Sequence, residues 1–182
     1  MNKNNLLLCA AGLLLMLGLQ VPSALSPVPA EASAMQVDVR VPAWPVELDG
    51  ITLDRSPSTY PPIVFHDITY IPMTWDVSRA AGLTLDWSAE NGLTIRSGAE
   101  ERVPLSPPAH GNAAADGKTL TAYVASFPIT IDGRTVDLAK DPYPPLLFRN
   151  VTYFPLTWDY AVETFGWTAS WDPRSGLSVR TK

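Results

Sequence analysis

One stretch of the sequence, "YPPIVFHDITYIPMTWD" from Tyr60, is written a second time as "YPPLLFRNVTYFPLTWD" from Tyr143. The two agree at Tyr, Pro, Pro, Phe, Thr, Tyr, Pro, Thr, Trp and Asp, and most other positions exchange one apolar residue for another. Only His66/Arg149 and Asp67/Asn150 change character. Agreement this dense marks an internal duplication, and a duplicated chain must fold as a unit that can be built twice.

The likeness runs beyond this core. Upstream, "VELDGITL" from Val46 matches "ITIDGRTV" from Ile129, with apolar residues alternating on either side of Asp-Gly. That pattern predicts a two-residue β-hairpin. Downstream, "GLTLDWSAENGLTIRS" from Gly82 matches "GWTASWDPRSGLSVRT" from Gly166, with one additional residue before the glycine in the second copy. These segments predict a further hairpin each, turning at Asn91-Gly92 and through Pro173 to Gly176.

Within the core, "IVFHDITYI" reads as two short strands joined at His66-Asp67, and Arg149-Asn150 makes the same turn. Pro72 and Pro155 hold the residues before them extended. Thr74 and Thr157 then stand as N-caps, with Asp76 and Asp159 in the first helical turn. Gly82 and Gly166 suit a left-handed C-cap, so each helix has about two turns and needs a sheet to lie on.

The fold class expected is therefore α+β and β-rich: two homologous repeats, each an antiparallel sheet of hairpins packed around one short helix. Residues 37–105 form the first repeat and 122–182 the second. The intervening 106–121, rich in Pro, Gly, Ala and Asn, is a linker.

Residues 1–34 read as a signal peptide: Lys3, the apolar run Leu6–Leu19, and Ala32-Ser33-Ala34 as a small-x-small cleavage site. The run is shorter than the roughly 20 residues of a membrane span, and Pro22 and Pro27 follow it. Cys9 would suggest a lipoprotein, but Leu8 stands where a small residue is needed. The expected localisation is secreted, with no membrane insertion once the signal is removed. Cys9 is the only cysteine, so the exported chain has no disulfide framework and must rest on its core. The net charge is −5 with no Lys/Arg cluster, which argues against nucleic acid and anionic membrane as partners.

The pattern Tyr60-Pro61-Pro62, Thr69-Tyr70-x-Pro72 and Trp87, repeated as Tyr143-Pro144-Pro145, Thr152-Tyr153-x-Pro155 and Trp171, resembles the copper amine oxidase N-terminal-like repeat of secreted bacterial proteins. The resemblance covers nearly all of the sequence after the signal. It implies an antiparallel sheet wrapped around a helix, a stalk-like module with no established catalytic role. Many members carry a Leu-Arg pair and a longer helix where this chain has Met73-Thr74-Trp75-Asp76 and Leu156-Thr157-Trp158-Asp159. The oxidase's catalytic domain holds copper with three histidines and forms its quinone in an Asn-Tyr motif. This chain has His66 and His110 and no Asn-Tyr, so no copper chemistry follows.

His66 at a turn and His110 in the linker do not make a converging metal set. Asp76 and Asp159 are explained by their helix starts before any acid–base role. No catalytic residue, metal ligand or cofactor is expected, and the chain reads as non-enzymatic. The repeated Trp75/Trp158 and Trp87/Trp171 are expected mainly in cores, since a duplicated fold duplicates its packing. Trp44 and Trp167, which occur once, are better candidates for a surface acquired by one copy. The candidate binding surface is Trp44, Trp75, Trp158 and Trp167. The functional expectation is a structural or interaction module at the bacterial cell surface, partnered by another surface protein or by cell-wall glycan, the latter making it a carbohydrate-binding module.

Overall fold

The structure is a computed structural model that describes residues 34–108 and 117–182. Apart from Ala34, the segment read as a signal peptide lies outside the described residues, as does His110. Among the described residues the fold is β-rich, with two short helices.

Four two-residue turns shape it. Asp49-Gly50, His66-Asp67, Asp132-Gly133 and Arg149-Asn150 all have positive φ at both positions. This is the twist that joins tightly paired antiparallel strands. They connect β2 (Val46–Leu48) to β3 (Ile51–Thr52), β4 (Ile63–Phe65) to β5 (Ile68–Pro72), β9 (Ile129–Ile131) to β10 (Arg134–Thr135), and β11 (Leu146–Phe148) to β12 (Val151–Pro155). His66 and Arg149 accept a left-handed backbone at a cost of about 1–2 kcal/mol each. Each recovers part of it on the ring before it: His66 stacks on Phe65 at 3.8 Å, and the Arg149 guanidinium lies 4.8 Å from the Phe148 centroid.

Two further hairpins close with longer loops: β6 (Leu83–Ser88) with β7 (Gly92–Ser97), and β13 (Thr168–Asp172) with β14 (Gly176–Arg180). Asp172 fixes the second loop by accepting from the amides of Arg174 and Ser175. Those bonds hold its carboxyl below the usual carboxylate range.

Two strands were not foreseen, β1 (Gln36–Arg40) and β8 (Thr119–Val124). β8 begins inside the stretch read as linker 106–121. The two pair with each other along their whole length, from Gln36 opposite Tyr123 to Arg40 opposite Thr119. They close a six-stranded barrel in the order β1-β4-β5-β12-β11-β8.

The expected separate sheet for each repeat does not form. β6 and β7 join β9 and β10 in one four-stranded sheet, and β13 and β14 join β2 and β3 in the other. The joins are parallel, β7 with β9 and β14 with β2, while the hairpins themselves are antiparallel. Each hairpin is a local product, but its open edge is satisfied only by a hairpin from the other sequence stretch. All described residues belong to one compact unit.

Strand alternation divides the interior in two. On β5 and β12, Tyr70 and Tyr153 point into the barrel with Ile63, Leu146 and Phe148. Their neighbours Ile71 and Phe154 point the other way, into a larger core with Val46, Leu48, Ile95 and Val179 from the two mixed sheets. β5 and β12 pair with each other, Ile71 opposite Phe154, and so form the wall between the cores.

The helices pack on the larger core. The first, α1 (Trp75–Ala80), is a short α-helix that buries Val77, Ser78 and Ala80. The second, Trp158–Thr164, is a π-helix rather than the expected α-helix. The one extra residue of the second copy is absorbed here: Phe165 N–H donates to the Tyr160 carbonyl, where Ala81 N–H donates to Val77. A wider turn holds one more residue between the same two ends. It also carries larger rings, since Tyr160, Phe165 and Trp167 cluster around Phe154 where the first copy has Val77, Ala81, Leu83 and Ile71.

Candidate functional site

The tryptophans divide differently from the sequence expectation. Trp75 and Trp158, each the first residue of its helix, are 70% and 68% exposed, and Trp87 and Trp171 are 60% and 54% exposed. Repetition fixed a common environment for each pair, but that environment is the surface. Trp167, expected as a surface residue, is 2% exposed and stacks on Phe165 at 4.7 Å. Trp44 is half-buried and meets Trp171 edge-on at 5.2 Å. The residues matched to Trp167 and Trp44 in the other copy are Leu83 and Phe127, both packed on the core, and that correspondence was the available signal. Phe127 meets Trp87 edge-on at 4.7 Å, so each exposed strand tryptophan leans on a residue from the other stretch.

Of the four candidates, Trp75 and Trp158 are therefore the exposed rings, and Trp158 stands at a groove of about 1110 Å³. One wall is β10 and the loop after it, with Arg134, Val136, Asp137 and Lys140. The other is the π-helix, with Trp158, Asp159, Tyr160 and Glu163, and Leu156 lies between. Asp141 pins the wall together. Its Oδ2 accepts from the Tyr160 hydroxyl at 2.6 Å and its Oδ1 from the Tyr143 amide at 2.9 Å. Burial and the bond to Asp141 push the Tyr160 hydroxyl well above the usual tyrosine range, so it remains a donor at any physiological pH. The Trp158 indole N–H donates to Glu163 at 3.2 Å, which sets the ring along the helix.

The groove is acidic. Asp132, Asp137, Asp141, Asp159 and Glu163 face Arg134 and Lys140, and Lys140 is paired with Asp137 at 2.7 Å. Among the described residues no cluster of three or more His, Cys, Asp or Glu is placed to hold a metal ion. His66 stacks on Phe65 away from this groove. Asp76 and Asp159 lie on different helices at the two helix starts, as their capping positions require.

Two hydroxyls are buried without a protein partner among the described residues, those of Tyr70 and Tyr153 inside the barrel. Burial raises both well above the usual tyrosine range. No helix among the described residues is long and apolar enough to cross a membrane.

Compared with known protein families, the chain matches no family model. It likewise matches no curated protein and no solved structure.

Proposed function

We propose that this chain is a secreted, non-catalytic interaction module of the cell surface, a duplicated unit of the stalk-like copper amine oxidase N-terminal-like kind whose two copies have exchanged their last hairpins. The observation that carries the reading is the exposure of Trp75 and Trp158 at matched positions. A large ring left in water at the start of a packed helix adds nothing to the core, and each exposed ring offers an apolar face for another molecule to cover. The interlocked sheets support the same reading, because both rings then belong to one compact unit.

A second reading, a cell-wall glycan as ligand, is favoured by one feature: Trp158 rises beside a groove lined with carboxylates. A ring face suits the apolar face of a sugar, and carboxylates accept from its hydroxyls.

Retention on purified cell wall, with and without its attached proteins, tests both. The purified protein should be retained, and a Trp75→Ala/Trp158→Ala variant with an unchanged melting temperature should be retained at least about tenfold less, as expected for loss of aromatic anchors. Retention that survives removal of wall proteins favours glycan. Equal retention of variant and parent would sink the interaction reading at these rings.

A further inference from the structure

The first copy has a counterpart of the acidic groove, and the chain itself fills it. Its walls are Ile51, Thr52, Leu53, Tyr60, Asp76 and Val77, the positions that Arg134, Thr135, Val136, Tyr143, Asp159 and Tyr160 occupy in the second copy. Only about 260 Å³ is open there, because Leu105, Ser106 and Pro108, on the chain leaving β7, form part of its lining. Leu105 packs against the larger core. Exposure follows this cover. Leu53 and Met73 are buried, whereas the matched Val136 and Leu156 are only half-buried, and Thr52 is half-buried where Thr135 is exposed. The second groove thus keeps an apolar floor that its counterpart covers with an extended segment.

From this pairing we infer that the groove beside the π-helix docks an extended, proline-containing peptide segment of a partner protein, with a large aliphatic residue over Val136 and Leu156 and a basic residue close by. The inference rests on the interaction-module reading and names its partner. The conformation comes from the occupant of the first groove: residues 102–108 have no helix or strand, and Pro104, Pro107 and Pro108 hold them extended. Such a segment loses little conformational freedom on docking, the usual advantage of proline-rich ligands in aromatic-walled grooves. The aliphatic residue follows from the floor. The basic residue follows from charge, since five carboxylates face two cations, one of them already paired. A sugar would meet the rim carboxylates but leave the aliphatic floor without a matching surface.

The test titrates a synthetic peptide with the sequence of Arg102–Pro108 into the whole protein, following amide NMR shifts. The segment in the first groove is tethered at an effective concentration near millimolar, so the free peptide is carried to several millimolar. Saturable shifts should concentrate at Val136, Leu156 and Tyr160. A peptide with serine in place of its leucine should bind at least about tenfold more weakly. Thr135→Arg, at an exposed rim position, and Leu156→Arg should both abolish the shifts, while Trp171→Ala should keep them. Thr135→Arg keeps the test valid should Leu156→Arg fail to fold. Absence of groove shifts, or equal binding of the leucine and serine peptides, overturns the inference. If cell-wall oligosaccharides shift the groove amides instead, the occupant is a glycan and the interaction reading stands. If neither probe binds and the Trp75→Ala/Trp158→Ala variant keeps its wall retention, both fall.

Discussion

Asp49 and Thr181 lie 132 positions apart and share two hydrogen bonds: Asp49 Oδ1 accepts from the Thr181 amide at 2.8 Å, and Oδ2 from its hydroxyl at 2.6 Å. Asp132, at the matched hairpin tip, accepts from the Ser97 amide at 2.8 Å. Each Asp-Gly turn therefore clasps the end of a strand from the other sequence stretch. At the opposite ends of the same joins, Leu93 N–H donates to the Pro128 carbonyl and Leu177 N–H to that of Pro45.

The glycines beside those amides should be the least replaceable residues of the fold. Gly92 and Gly176 have φ of +67° and +85°, and a Cβ on either would collide with the carbonyl oxygen of Pro128 or Pro45. Gly92→Ala and Gly176→Ala are each expected to destabilise by at least about 2 kcal/mol, the left-handed penalty plus the clash. Gly133→Ala, where the added atom meets open space, should cost only about 1 kcal/mol. Urea melts of the three variants check the order.

The two matched threonines should behave differently. Thr157 Oγ1 accepts from the Tyr160 amide at 3.4 Å, whereas Thr74 makes no side-chain cap. Thr157→Ala is expected to cost about 0.5–1 kcal/mol, at the low end for a long cap bond, and Thr74→Ala a few tenths at most. Equal losses in thermal unfolding would contradict this asymmetry.

Tryptophan truncations should follow burial rather than repetition. Trp167→Ala empties a fully enclosed site and is expected to cost about 3–5 kcal/mol. Trp87→Ala and Trp171→Ala remove exposed rings held by one edge-on contact, which is worth about 0.5–1.5 kcal/mol beyond area. Chemical denaturation separates the two classes.

Alkali should unfold the protein through its buried tyrosines. Tyr70, Tyr153 and Tyr160 all have hydroxyls raised above their ordinary value in the folded state, chiefly by burial. The folded state then holds protons that the unfolded chain releases above pH of about 10, so the contribution of these tyrosines to stability is constant below that pH and falls as pH rises beyond it. Each tyrosine contributes a loss of about 1.4 kcal/mol per pH unit in that window. Tyr70→Phe and Tyr153→Phe, which remove hydroxyls without a protein partner, should leave stability at neutral pH unchanged or raise it by about 1 kcal/mol, and flatten the alkaline slope. Urea melts between pH 8 and 11 with tyrosinate absorbance read both effects.

Local chemistry was legible in the sequence and partnership was not. The Asp-Gly, His-Asp and Arg-Asn turns announce themselves because alternating apolar residues flank a pair able to take positive φ. β1 and β8 escaped because neither has a hairpin mate; each is recognisable only once the other is beside it. The exchange of β6–β7 and β13–β14 between stretches escaped for a related reason. A hairpin's sequence encodes its own turn and its buried face, while its open edge offers the same backbone groups to any strand. The extra residue before Gly166 was visible, but its conversion of the helix to a π-helix depended on the rings packed beneath it. For the groove, repetition suggested equal sites, whereas Leu105 covers one and leaves the other open.

The exchange of hairpins also orders events in time. Beyond its hairpin mate β3, β2 pairs with β14, the last described strand, so the first stretch cannot complete its sheet while the second is still missing. Joining segments so far apart in sequence means closing large loops before any contact is made, which slows folding more than it weakens the folded state. A chain built this way closes the sheet that holds its first hairpin only when its last described strand is present.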